Sequence, residues 1–149
     1  MTRLLVLLTA LLITGCASQP TAMVATDNVV IVGDDPGGLI GAYIAKVTTA
    51  KQSGAHVQIV GNCASACTLW TSMPPDRICV GPNAAFTFHE PTPMAGENQD
   101  AVRDAARGVL LAYYPESVRK WVVRQGGLTS KLVTLSGAEL DAIFRRCDS

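Results

Sequence analysis

The sequence has no surplus of either charge: 12 lysines and arginines face 12 aspartates and glutamates, and charged residues make up only 16% of 149. Its longest basic run is the pair Arg145–Arg146, so the electrostatic footprint of a nucleic-acid binder is missing. Charge this sparse beside 48% hydrophobic residues also excludes an intrinsically disordered chain. Long apolar runs are scarce too. The longest one, Leu4 to Ile13 with only Thr9 inside it, would span about 15 Å as a helix, half a bilayer core, which excludes a polytopic membrane protein. Neither internal repeats nor low-complexity tracts are present, and histidine occurs only at positions 56 and 89. A chain of this length is expected to bury roughly two-thirds of its surface in one domain.

What is present begins with Arg3, then the apolar run, then Thr14-Gly15-Cys16. A basic start, a short apolar stretch and small residues read as an export signal. The sequence ITGC resembles the bacterial lipobox, which implies acylation of Cys16 as the new N-terminus; the bland alternative is an ordinary signal peptide that contains a cysteine. By the same resemblance, Ala17 implies sorting to the outer membrane. The expected organisation is a lipoprotein-type signal peptide over 1–15, a small-residue tether over 16–28 and a folded domain over 29–149. Localisation follows as the periplasmic side of the cell envelope, with the membrane reached through the lipid on Cys16. Processing would take Arg3 with it, so the mature protein stays close to neutral.

Cys63, Cys67, Cys79 and Cys147 remain. Export implies an oxidising compartment, and four cysteines allow three disulfide connectivities, among which the sequence does not choose. Zinc is the competing reading of Cys63-x3-Cys67, but no His-x3-5-His and no second cysteine pair follow it. The spacing is not the Cys-x-x-Cys of redox enzymes. No metal and no cofactor is expected.

Along the domain, the run 29–32 reads as a strand buried on both faces and 39–52 as a helix. Strands are expected at 57–60, 77–80, 84–88 and 132–135, with Gly61-Asn62 as a turn. Helices are expected at 64–72, 98–113 and 116–124, the last closed by Gly126-Gly127. Ser136-Gly137-Ala138-Glu139 fits a capping box opening a helix to about Arg145. Between His89 and this second half, residues 90–97 are too rich in Pro and Gly for regular structure and read as a mobile loop. Alternation of strands and helices predicts an α/β domain with a mostly parallel sheet flanked by helices.

Three places could carry chemistry. Asp35-Pro36-Gly37-Gly38, between a strand and a helix, can turn backbone N–H groups toward an oxyanion, or can be an ordinary tight turn. Gly61-Asn62-Cys63-Ala64-Ser65-Ala66-Cys67 presents Ser65 at a helix start, where it can be a nucleophile or simply an N-cap. Phe88-His89-Glu90 sets His89 at a strand end beside the loop. His56 reads as a surface residue.

Together these segments resemble the Clp-type serine peptidases and the wider Clp protease/crotonase superfamily. VIVGDDPGGLIGAYIA is similar to the family's strand ending in Ser-Pro-Gly-Gly, with Asp35 in place of Ser. GNCASACTLW is similar to its Gly-Gln-Ala-Ala-Ser nucleophile motif, with Ser65 at the serine. RICVGPNAAFTFHEP is similar to its histidine motif, with His89 at the histidine, and TLSGAEL to its later Leu-Ser-x-x-Glu-Ala helix start. Small exported bacterial proteins of this superfamily bearing Cys-x-Ser-Ala-Cys show the nearest likeness.

The resemblance implies a truncated Clp/crotonase-like fold and a serine hydrolase acting on peptides or proteins. Ser65 would be the nucleophile, His89 its general base, and the N–H groups of Gly38 and Ala66 the oxyanion hole. Two departures stand out. The family's acid before Leu-Ser-x-x-Glu is absent from Ser130-Lys131-Leu132-Val133-Thr134, leaving Glu90, Asp100, Asp104 or Glu116 as substitutes. The strand-and-helix unit before the Gly-Gly motif is also missing, so either the sheet is small or a second chain in a homo-oligomer completes it. Competing expectations are a Ser65/Lys120 dyad, a non-catalytic binding or assembly module on the same fold, and, more distantly, a crotonase-like acyl-CoA enzyme.

Overall fold

The computed structural model describes residues 28–96 and 98–148. The expected signal segment and Cys16 lie outside the described residues, as does the rest of the tether through residue 27. The domain is mixed α/β. Its strands are β1 (Val29–Val32), β2 (His56–Ile59), β3 (Asn62–Ala64), β4 (Ile78–Val80), β5 (Ala85–Phe88) and β6 (Val133–Leu135). Its α-helices are α1 (Ile40–Gln52), α2 (Gln99–Tyr113), α3 (Glu116–Arg124) and α4 (Gly137–Asp141).

The strands form two three-stranded sheets rather than one. In the first, ordered β1-β2-β4, every pairing is parallel. The second is ordered β3-β5-β6, with β3 parallel to β5 and β6 antiparallel to it. The expectation of a largely parallel arrangement therefore holds for the first sheet and is only partly met in the second.

Gly61-Asn62 is not simply a turn, because Asn62 starts β3 and pairs with Ala85. The segment after it is not an α-helix but a 3-10 helix over Ser65–Ser72. Side chains favour the tighter winding: the hydroxyls of Thr68 and Ser72 donate to the carbonyls of Ser65 (2.5 Å) and Leu69 (2.8 Å), three residues back in each case. The expected helix from Ser136 is cut to one turn ending at Asp141, and the Ser136 side chain makes no capping hydrogen bond. Strand β1 is not buried on both faces: Ile31 is 66% exposed.

Four cysteines pair as Cys63–Cys67 and Cys79–Cys147, which selects one of the three connectivities. The second bond fastens residues 145–147 alongside β4, where Val80 donates to Arg145 O (3.0 Å) and Cys147 donates to Val80 O (3.1 Å). Between the layers lies an aromatic cluster built from a chain only 5% aromatic. Phe86 meets Phe144 with centroids 5.3 Å apart, while Phe88 meets Tyr114 edge-on at 5.4 Å and Trp121 at 5.6 Å. Phe86, Phe88 and Trp121 are fully buried, so β5, which leads into His89, is anchored by two large side chains.

Candidate active site

The loop after β1 is held against β3 by main-chain bonds. Asp35 N–H donates to Asn62 O (2.9 Å), and Ala64 N–H donates to Asp35 O (2.8 Å). The Asp35 carboxylate accepts from Gly37 N–H (2.9 Å) and from the Tyr43 hydroxyl (2.5 and 2.7 Å). One side chain thus closes the turn and ties it to α1. Burial, the hydrogen bond and the negative charge of Asp35 push the Tyr43 hydroxyl up to about 12.

This brace brings Gly37 against the serine. Gly37 has φ +88°, and a Cβ there would stand 2.6 Å from Ala64 O, 2.8 Å from Ser65 Cβ and 2.9 Å from Ala66 N. Only glycine fits so close an approach in that conformation. Ser65 itself has φ +55°, one of two non-glycine residues in that region among the described residues. A left-handed serine between a strand and a helix costs conformational energy and marks a sharp elbow. The elbow is held on both flanks. Cys63 and Cys67 are joined across it, and Thr68 donates to the Ser65 carbonyl. Because the single Thr68 proton is used there, the buried Tyr114 hydroxyl must be the donor in its 2.7 Å bond to Thr68. Burial pushes Tyr114 up to about 12.

Ser65 does not act as the N-cap of its helix: Ala64 occupies that position, and no side-chain cap bond is made. Among the described residues, no carbonyl or side chain accepts from the N–H of Gly38 or of Ala66.

Ser65 and His89 line the same cleft, of about 470 Å³, together with Gly38 and Ala66. Its remaining walls are mostly apolar, from Leu39 and Ile40 at the start of α1, Pro91 to Met94, and Val102, Ala106 and Leu110 of α2. His89 is half-buried, and its Nδ1 lies 2.6 Å from the carbonyl oxygen of Glu90. A carbonyl can only accept, so Nδ1 carries a proton, and in the neutral ring that leaves the lone pair on Nε2. The Glu90 carbonyl is itself constrained. Its own N–H donates to Thr129 O (2.8 Å), and the buried Pro91 that follows restricts its backbone to extended conformations.

None of the candidate acids is hydrogen-bonded to the imidazole. Glu90 turns its carboxylate to Arg107 (3.2 Å), Asp104 also pairs with Arg107 (2.7 Å), Asp100 pairs with Arg103 (2.5 Å), and Glu116 pairs with Lys120 (2.7 Å). Lys120 is exposed in that pair and does not line the Ser65 cleft. His56 sits exposed at the start of β2.

Sequence reasoning missed the Asp35–Tyr43 brace and the Tyr114–Thr68–Ser65 relay. The first had a signal, since Asp-Pro-Gly is an Asx-turn pattern and Tyr43 lies on the buried stripe of the following helix. The second had none, because its partners are 46 residues apart. Compared with models of known protein families and with curated proteins, the chain matches none.

Proposed function

We propose that this chain is a truncated relative of the Clp protease/crotonase superfamily and an exported serine hydrolase acting on peptides. Ser65 would be its nucleophile and His89 its general base. The observation that carries the reading is the left-handed Ser65 elbow opening onto the cleft that His89 shares, with Nδ1 bonded to a carbonyl. In this mechanism His89 Nε2 takes the Ser65 hydroxyl proton as Oγ attacks the substrate carbonyl. The N–H groups of Gly38 and Ala66 receive the oxyanion, each such donor being worth roughly 3 kcal/mol of barrier. The imidazolium returns its proton to the leaving amine, and water then repeats the sequence on the acyl-enzyme.

In this scheme the Glu90 carbonyl sets the tautomer, which is part of what the acid of a triad does. It brings no negative charge to stabilise the imidazolium, so turnover is expected to be slower than with a full triad. Two disulfides fit an oxidising compartment. No helix among the described residues is long and apolar enough to cross a membrane, and attachment in this reading is through lipid on Cys16 at the outer membrane.

The test is covalent labelling by a fluorophosphonate. Labelling is expected on the wild type, to vanish in Ser65→Ala and to drop by at least 100-fold in His89→Asn. Absence of labelling across neutral and mildly alkaline pH overturns the hydrolytic reading. Among the described residues no carboxylate is bonded to the His89 ring, which favours a second reading, a non-catalytic module on the same fold. It requires Ser65→Ala to retain a captured peptide as well as the wild type does.

A further inference from the structure

A second cleft, of about 540 Å³, lies between the C-terminal end of α1, the end of the 3-10 helix, α3 and the segment after α4; it shares no lining residue with the Ser65 cleft. Met73, Pro74, Ile78, Pro115 and Phe144 give it apolar walls. Its polar side chains are Lys51, Ser72, Ser117 and Arg145, with Thr71 in the wall.

Lys51 is half-buried, and among the described residues its ammonium has one partner, the Ser72 hydroxyl at 3.2 Å. That hydroxyl spends its proton on Leu69 O, so two ammonium N–H groups of Lys51 remain to be satisfied. Arg145, exposed at the rim, makes one side-chain bond among the described residues, to the main-chain carbonyl of Asp76 (3.3 Å). Among the described residues no carboxylate pairs with Lys51, Arg77 or Arg145. Arg77 aggravates this by donating to Lys51 O (3.1 Å), which sets a second cation beside the first. Burial and the charge of Arg77 together lower the Lys51 pKa. Two half-buried cations, Lys51 and Arg77, with the exposed Arg145 at the rim, lack a counter-charge among the described residues, and an anion in the cleft would supply it. The Thr71 hydroxyl, buried and without a partner, adds an unmet polar group to the same wall.

We infer that this cleft is a binding site for a small organic carboxylate with an apolar body, its head on Lys51 with Arg145 at the mouth and its body on Met73, Pro74 and Phe144. The single half-buried ammonium suits a monoanion, and the apolar walls require more than a bare ion. The inference is independent of the hydrolytic reading.

Isothermal titration of the folded domain with octanoate, acetate and octylamine tests it. Octanoate should bind saturably with one site, acetate at least 30-fold more weakly and octylamine not at all. Lys51→Met should weaken octanoate at least 10-fold and Arg145→Gln about 3-fold, while Lys120→Met, on the outer face of α3, should leave it unchanged. Should Lys51→Met fail to fold, Ser117→Trp blocks the cleft from an exposed position and should reduce binding by a similar factor. Equal affinity for octylamine, or octanoate binding unaltered in both Arg145→Gln and Ser117→Trp, overturns the site.

Discussion

Gly37 and Glu90 carry the residue-scale argument. At Gly37 a methyl group would collide with the Ser65 elbow and force a φ of +88° on an L side chain. Gly37→Ala should therefore lower stability by more than about 1 kcal/mol, seen in a urea midpoint, and abolish fluorophosphonate labelling even where the domain stays folded. Gly38→Ala meets only a Tyr43 ring carbon at 3.8 Å and should keep the fold. At Glu90 the carboxylate and the carbonyl have separate duties. Arg107 holds the first, and the ring of His89 uses the second. Arg107→Gln should loosen the peptide that orients the imidazole and slow labelling about 3- to 10-fold at unchanged melting temperature. Both residues were visible in the sequence, the first as half of Pro-Gly-Gly and the second as a neighbour of His89. That Glu90 contributes main chain rather than side chain was not, because a carboxylate is legible as a letter and a carbonyl belongs to every residue.

At the scale of elements, the 3-10 helix bears the site. Thr68→Val would leave the Ser65 carbonyl and the Tyr114 hydroxyl without their buried partner. The expected loss is about 2–3 kcal/mol by denaturation, with reduced labelling, since the elbow loses its brace. The two disulfides should differ. Breaking Cys79–Cys147, a separation of 68 residues, should cost about 4 kcal/mol, whereas Cys63–Cys67, a separation of 4, should cost about 2. The short bond should instead show its effect in labelling rate. Helix α3 was readable to the residue because Pro115 opens it and Gly126-Gly127 close it, both glycines having positive φ. Strand β3 was not readable: three residues, Asn-Cys-Ala, carry no periodicity, and their pairing is set by Ala85–Thr87 far along the chain. The capping box failed for a related reason, since local spacing permits the Ser136 bond without enforcing it.

For the whole molecule, pH reports on the core. Tyr114 is neutral when folded up to about pH 12 but ionises near 10 when unfolded. The unfolded state sheds its proton first, so this contribution is complete below pH 10 and is lost as pH rises from 10 to 12, about 3 kcal/mol in all. Tyr43 shifts in the same direction. Tyr114→Phe should flatten the alkaline limb of the stability curve while lowering the plateau, measured by urea denaturation across that range. The α/β class was legible because apolar runs alternated with helical stripes. The division into two sheets was not, since it depends on which strands find each other.

The disulfide at Cys79 has one further consequence, for the order of events in folding. Residues 145–147 supply the hydrogen bonds that finish β4, and Cys147 supplies the bond that locks them. Until those residues dock, one flank of the parallel sheet stays raw and one thiol stays unmated. Completion of that sheet must therefore wait for residues 145–147 to dock, and Cys79 is available to the wrong partner until they do.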